Sequence, residues 1–358
     1  MSTVIPDMDM GDYFRGSVMR FNMMRAPLYA ALAEGVAEDP DLCAMAARKQ
    51  TGQPADHLLF SAAELVLQDN ASDPLAAYYP TMTAQPKPAA ESFPAFRAFC
   101  LKHRQAIEAL IATRTVQTTF LNRAGLIAPA ARLIADEVGE PLSLIEIGCS
   151  AGLLTLFDHY QYDLGPEGRH GDASRPAVEQ PHWFGDARPK SSIPPKIGAR
   201  VGLDLNPVDP TGELERRWIE SLAPPDWVSQ RKQLAAALRY RADTGLRTIA
   251  GDAMKSLPGL LTELPAPIMV MHTFCLYQWP AEPQVALDAR LREASKTRTI
   301  HRLAIDIVTG ARPPELEPFN MMKERLFDMY ITRYEGGEAR TKVIGECDPW
   351  GFSAQWLA

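Results

Sequence analysis

No run of apolar residues in this 358-residue chain approaches the roughly 18 needed to cross a bilayer, so no membrane-spanning segment is expected. Basic residues do not predominate either. Lys and Arg total 37 against 44 Asp and Glu, a formal net charge of −7, which speaks against nonspecific binding to nucleic acid or to an anionic membrane surface. The opening residues, MSTVIPDMDMGDYF, carry acids and lack a basic stretch followed by an apolar one, so no secretory signal is expected there. Cysteine is scarce: Cys43, Cys100, Cys149, Cys275 and Cys347 are odd in number, scattered, and form no C-x-x-C. That pattern argues against a disulfide framework and against a metal site, and fits free thiols in a reducing cytoplasm. Internal repeats and low-complexity tracts are absent as well.

Proline, by contrast, is abundant. The 30 prolines concentrate at 80–94, 176–195 and 207–225 and mark loops there. Residues 1–140 read as a helical domain without strands. Asp39-Pro40 is a helix start. Phe96, Phe99, Cys100, His103, Ile107, Leu110 and Ile111 recur at three- and four-residue steps, predicting one helix with an apolar stripe. The segment from Thr115 to Gly139 predicts another, which Pro129 would kink or divide. Residues 141–358 read differently. Strands are expected near 143–147, 200–205, 246–250, 268–273 and 300–307, with helices near 152–161, 213–222, 227–242, 253–263 and 282–297. Such alternation implies a parallel sheet covered on both faces. The run LFDMYITRY, then Glu335-Gly336-Gly337, then ARTKVIGEC predicts a β-hairpin. Together these give an α/β, Rossmann-like sheet of the class I methyltransferase type, with a carboxyl-terminal antiparallel hairpin and an amino-terminal helical domain. Residues 165–200 are an insertion after the first helix, a candidate flap.

The stretch SLIEIGCSAGLL at 143–154 carries the sharpest signal. Gly148 to Gly152 spell G-x-S-x-G, the spacing of a hydrolase nucleophile elbow with Ser150 as nucleophile. They are also close to E-x-G-x-G-x-G, the turn with which methyltransferases hold S-adenosylmethionine. The elbow fits less well, because Ser150 follows the first predicted strand and no oxyanion loop precedes it. In the cofactor reading, Gly148 and Gly152 let backbone approach a ligand, and the N–H groups of the following helix serve its carboxylate and ribose edge. Glu146 stands at the carboxyl end of the first strand. Asp204, followed by Leu205, ends the second and could accept both ribose hydroxyls; it could also cap its own loop. Asp252, followed by Ala253, comes after the third and could accept the adenine amino group or cap the next helix.

Methyl transfer is an in-line displacement that rests mainly on alignment. Where the acceptor must lose a proton, His272 at the end of the fourth strand is the candidate base; the alternative is a histidine bonded within the core. Asp158 and Tyr162, four apart, could line the site or tie down the insertion. Gln117 and Arg123 precede the sheet, and Arg123 could orient a methionine carboxylate or pair with a structural acid. Tyr277, with Trp183, Phe184 and Trp279, could stack on a planar ligand or pack in the core.

At these residues the chain resembles a bacterial family catalogued as domain of unknown function 2332. The shared features are RTVQT followed by Arg123, LIEIGCSAGL with Asp158 and Tyr162 after it, GLDLNPVDP, GDA, VMHTF, and Pro349, Gly351 and Trp356 near the end. The resemblance covers most of the chain and implies a fold similar to class I methyltransferases. Three positions depart from the family pattern: Thr119-Phe120 stands for Asn-Glu, Leu154 for Asn, and Trp350 for His. Each swap removes a polar group. The expected function is an S-adenosylmethionine-dependent methyltransferase acting on a small-molecule acceptor, without nucleic-acid or membrane partners. The alternatives are a non-catalytic protein binding S-adenosylmethionine or a nucleoside, and a serine hydrolase using Ser150.

Overall fold

The structure is a computed structural model that describes residues 9–306 and 327–358. Up to residue 141 every regular element among the described residues is helical: α1 (Met10–Met23), α2 (Pro27–Ala37), α3 (Pro40–Ala46), α4 (Ala55–Gln68), α5 (Phe93–Lys102), α6 (Arg104–Thr113) and α7 (Ala124–Val138), with short 3-10 turns between. Local chemistry starts them. The Asp9 carboxylate accepts from Gly11 N at 3.1 Å, and Asp39 accepts from Leu42 N at 3.0 Å with Pro40 in the first turn.

The single helix expected across 96–111 is two. His103 takes φ −107° and ψ 21° between α5 and α6, and its ring lies 4.4 Å from that of Phe99. The apolar stripe runs through the break, since Phe96, Phe99, Ile107 and Ile111 are all buried, so periodicity alone does not register it. Pro129 sits inside α7 without dividing it.

The remaining elements are β1 (Leu142–Ile147), β2 (Gln161–Asp163), β3 (Arg169–His170), β4 (Ala177–Glu179), β5 (His182–Phe184), β6 (Ile197–Asp204), α8 (Glu213–Ser221), α9 (Val228–Ala242), β7 (Thr248–Ala250), α10 (Ala253–Glu263), β8 (Ile268–Thr273), α11 (Ala281–Ala294), β9 (Ile300–Ile305), β10 (Phe327–Glu335), β11 (Glu338–Cys347) and β12 (Ser353–Trp356). Nine strands form one sheet in the order β5-β12-β11-β10-β9-β8-β1-β6-β7. From β7 to β9 all neighbours are parallel. β10 then runs antiparallel to β9, and β11 returns on it across Gly336-Gly337 as a plain meander. The architecture is α/β with a mostly parallel central sheet and a helical amino-terminal region. The expected fifth strand ends at 305; position 307 and Leu326, the first residue of the expected hairpin, lie outside the described residues. On one face, Ile145, Val201, Val270 and Ile300 pack with Leu257, Leu260, Leu287 and Leu291 of α10 and α11.

In chain order the parallel strands grow from β1 toward β6 and β7 on one side and toward β8 and β9 on the other. The order therefore reverses between β1 and β8. Open α/β sheets form their ligand crevices outside the carboxyl ends at such a point.

Two compact units emerge, with bounds other than 1–140 and 141–358. One comprises residues 119–210 and 236–358 and holds the sheet; the other comprises 9–118 and 211–235. α7 goes with the sheet because it packs on β9 and β4. α8 goes with the helices, where Arg217 pairs with Asp69 and Trp218 Nε1 donates to Thr115 O at 3.1 Å.

The helix expected at 152–161 is absent. A six-residue 3-10 segment, Leu154–His159, stands there, kinked at Leu156. Two tyrosine hydroxyls bond into this segment. Tyr160 Oη donates to Leu153 O and Tyr162 Oη to Phe157 O, each at 2.6 Å, capturing carbonyls that an α-helix would offer to its own N–H groups. The insertion at 165–200 supplies β3 and β4, which flank β2 in a small sheet, and then β5, which pairs with β12 at the far edge of the main sheet. Its return is clamped by Arg200, whose guanidinium takes both oxygens of Asp158 at 2.5 and 2.9 Å. Asp158→Ala strands that guanidinium in a largely buried setting and should cost about 2–4 kcal/mol in chemical denaturation; a change within error would mean that the clamp carries no load.

Candidate functional site

The turn after β1 is tightly wound. Gly148, Ser150 and Gly152 have φ of +78°, +50° and +76°. A Cβ on Gly148 would lie 2.5 Å from Cys275 Sγ, and one on Gly152 would lie 2.6 Å from Leu246 Cδ2 and 3.1 Å from Arg241 Nε. Here the glycines admit the protein's own side chains, where a ligand was expected. The expected backbone donors are also committed. Gly148 N and Cys149 N donate to Leu203 O (2.8 and 3.1 Å), Gly152 N to Cys149 O (2.7 Å), and Ser150 N to Asp204 Oδ2 (2.8 Å). Four of the five N–H groups at 148–152 are thus spent, and no α-helix terminus follows the turn.

Around this turn three of the expected acids take distinct roles. Glu146 is buried, accepts a hydrogen bond from Thr155 Oγ1, and burial pushes its carboxyl up to about 8, with nearby Asp204 adding to the rise. Asp204 accepts from Ser150 N through one oxygen and from Asn206 N (2.9 Å) through the other. Leu205 beside it is 70 % exposed. Asp252 is the N-cap of α10, accepting from Met254 N at 2.8 Å ahead of buried Ala253. The backbone ties it to the site, since Gly251 N donates to Asp204 O at 2.8 Å.

On the other side of the switch point, His272 is fully buried on β8 with both ring nitrogens engaged. Nδ1 faces Asp306 Oδ2, and Arg302 Nε donates to Nε2, both at 2.9 Å. These partners fix the Nδ1–H tautomer. Burial, reinforced by the Arg302 charge, pulls the imidazole down to about 4, so it is neutral near pH 7 and has no nitrogen left for a substrate proton. Asp306, just past β9, also accepts from Cys275 N, Leu276 N and Tyr277 N at 2.8–3.2 Å. Burial works to raise this carboxyl, but its hydrogen bonds outweigh that and leave it below the ordinary value. Sequence reasoning missed Asp306 because the expected strand 300–307 absorbed it. Its signal was the one that marked Asp204, an acid closing an apolar β run.

The residues of the 273–278 turn follow from that anchor. Phe274 has φ +51°, a strained conformation for a bulky residue, with its N–H on Ile305 O at 2.8 Å. The Arg123 guanidinium lies 4.4 Å from its ring centroid and 5.1 Å from that of Phe120. Arg123 is 6 % exposed, and its Nε donates to Pro349 O at 2.9 Å. Tyr277 is half-exposed at the same edge.

Other expected site residues are structural. Asp158 holds Arg200, and Tyr162 is buried on Phe157 O. Gln117 belongs to the helical unit, where its Oε1 accepts from Thr115 Oγ1 at 3.2 Å. Trp183 stacks edge-on against Trp356. His159 Nδ1 lies 2.7 Å from Tyr240 Oη, and both ring nitrogens of His272 are engaged.

A family model described as "uncharacterized protein conserved in bacteria (DUF2332)" matches residues 16–356. The chain belongs to this family. No curated protein and no solved structure matches it. In this DUF2332 chain the Pro349-to-Gly351 turn forms the wall around Arg123: a Cβ on Gly351 (φ +83°) would lie 2.8 Å from Arg123 N and from Asn122 C.

The raised Glu146 carboxyl has a consequence for stability. Between the ordinary carboxyl range and about pH 8 the unfolded chain has released this proton and the folded one retains it, so stability falls as pH rises through that window. Glu146→Gln keeps an acceptor for Thr155 and removes the titration. In urea denaturation its stability relative to the parent should rise between about pH 5.5 and about pH 8; a parallel pair of profiles would refute the assignment.

Proposed function

We infer that this protein binds an adenosyl compound at the carboxyl edge of its sheet and acts as an S-adenosylmethionine-dependent methyltransferase on a small-molecule acceptor. The observation that carries this reading is Asp204. It ends β6 at the carboxyl edge of the sheet, touches the glycine turn through Ser150 N at 2.8 Å, and is followed by an exposed apolar residue, Leu205. An acid at that position accepts ribose hydroxyls, and Leu205 offers a surface to a base. The parallel order β7-β6-β1-β8-β9 supports a Rossmann-like, methyltransferase-type sheet. The spent N–H groups of the turn favour a phosphate-free nucleoside, because a pyrophosphate would need them.

S-adenosylmethionine supplies an activated methyl group. Asp204 would hold the sugar, Leu205 and Ala253 would flank the base, and Asp252, capping α10, would face the adenine edge. The buried turn from Glu146 to Gly152 would set the depth of the ligand. His272 is a positioning residue: through Asp306 it fixes the turn that presents Phe274 and Tyr277. A neutral histidine with both nitrogens engaged supplies no general base, so the chemistry this site supports is alignment of an acceptor that needs little help losing a proton.

The same observation favours a second reading, a non-catalytic protein that binds S-adenosylmethionine or a nucleoside. Phe120 beside Arg123 and Trp350 in the neighbouring turn stand where the family resemblance implies polar groups. Titration calorimetry with S-adenosylhomocysteine should give saturable binding, weakened about tenfold or more by Asp204→Ala. No heat at millimolar ligand sinks both readings. Formation of S-adenosylhomocysteine with candidate acceptors separates enzyme from binder.

A further inference from the structure

Arg123 takes no part in the bonding of the 148–152 turn. A carboxylate arriving at the carboxyl edge between β1 and β8 finds four of five turn N–H groups committed and no α-helix beginning directly after that turn. Arg123 is buried close by, within the electrostatic reach of Glu146, Tyr277, Asp306 and Asp348. Its Nε is used by Pro349 O. Its two Nη nitrogens make no hydrogen bond, and no carboxylate pairs with it, among the described residues. The neighbouring acids are held by other donors. Asp306 serves His272 and three backbone N–H groups. Asp348 serves Trp350 N, Gly351 N, Phe352 N and Ser353 N.

Two further features show a built surround. Phe274 is kept in a strained backbone conformation with its ring under the guanidinium, and backbone strain of this kind clusters at ligand clamps. Gly351 lets the 349–351 turn close directly on the Arg123 backbone. A buried guanidinium without a counter-ion is costly, and its planar fork matches a carboxylate through two parallel N–H···O bonds.

We propose that Arg123 is the receptor for a carboxylate carried by the molecule in the β1/β8 crevice, with Phe274 and Phe120 steering the carboxylate onto the free Nη edge. The proposal deepens the adenosyl-ligand reading and rests on it for one of two sources, the amino-acid carboxylate of S-adenosylmethionine; the other source is a carboxylate on the acceptor.

Calorimetry on the full chain with matched probes separates them. If the cofactor is the source, S-adenosylmethionine binds about tenfold or more tighter than its decarboxylated analogue, and Arg123→Met removes that difference while leaving the analogue's affinity unchanged. If the acceptor is the source, the two adenosyl probes bind alike, and benzoate, titrated with S-adenosylmethionine present, binds the parent and not Arg123→Met, with benzamide as the neutral control. Should neither adenosyl probe bind, the adenosyl reading fails, and benzoate against benzamide alone decides the receptor. The proposal is overturned if the parent prefers no carboxylate probe over its neutral partner, or if a folded Arg123→Met, checked by circular dichroism and melting, keeps the preference. Where Arg123→Met does not fold, Arg123→Lys replaces it. Lysine retains charge without the fork, so an intermediate preference is expected and an unchanged one overturns the proposal.

Discussion

The carboxylate of Asp306 organises the carboxyl edge of this sheet around β8. It is buried at the end of β9 and reaches across to β8, where it takes the His272 ring and the N–H groups of Cys275, Leu276 and Tyr277. Those bonds fix the backbone around Phe274 in a conformation that its side chain disfavours. They also set Cys275 against Gly148, so the glycine turn of β1 is packed through the same anchor. The ring beneath Arg123 is in place for the same reason. One acid thus couples the two strands flanking the switch point, and His272 belongs to that coupling by geometry.

The turn at 148–152 illustrates how one sequence pattern serves two physical ends. Glycines in such a turn are read as space for a ligand. In this chain the space beside Gly148 and Gly152 holds Cys275, Leu246 and Arg241, and the N–H groups bond to β6. The turn therefore works as a joint between strands. In the proposed reading, recognition falls to side chains around it: Asp204 on one side, Arg123 and the aromatic rings on the other.

Much of this was legible in the chain. The strands at 142–147 and 268–273 are short, mostly apolar runs buried throughout, and the buried Val201–Leu203 stretch marks the strand at 197–204, which is why their positions could be read from composition. Asp204 and Asp252 stand at strand ends as expected because an acid closing an apolar run has few other places to go. The 3-10 segment at 154–159 was not legible. The hydroxyls of Tyr160 and Tyr162 bond into it, and nothing local announces where a tyrosine hydroxyl will bond. Arg123 was visible as a residue, but its neighbours Phe274 and Pro349 come from distant parts of the sequence. The break at His103 escaped for the opposite reason: the stripe continues past it unchanged.

The far edge of the sheet carries a consequence of its own. β5 and β12 are adjacent in space, yet His182 and Ser353 are separated by about 170 residues. Closing so long a loop is entropically expensive, and nonlocal pairings of this kind form slowly. During synthesis the middle segment must wait, with its strand unpaired, until the residues of β12 have been made. Pairing at this edge is therefore a late, long-range event, and the strand that waits is exposed meanwhile to premature association with other chains.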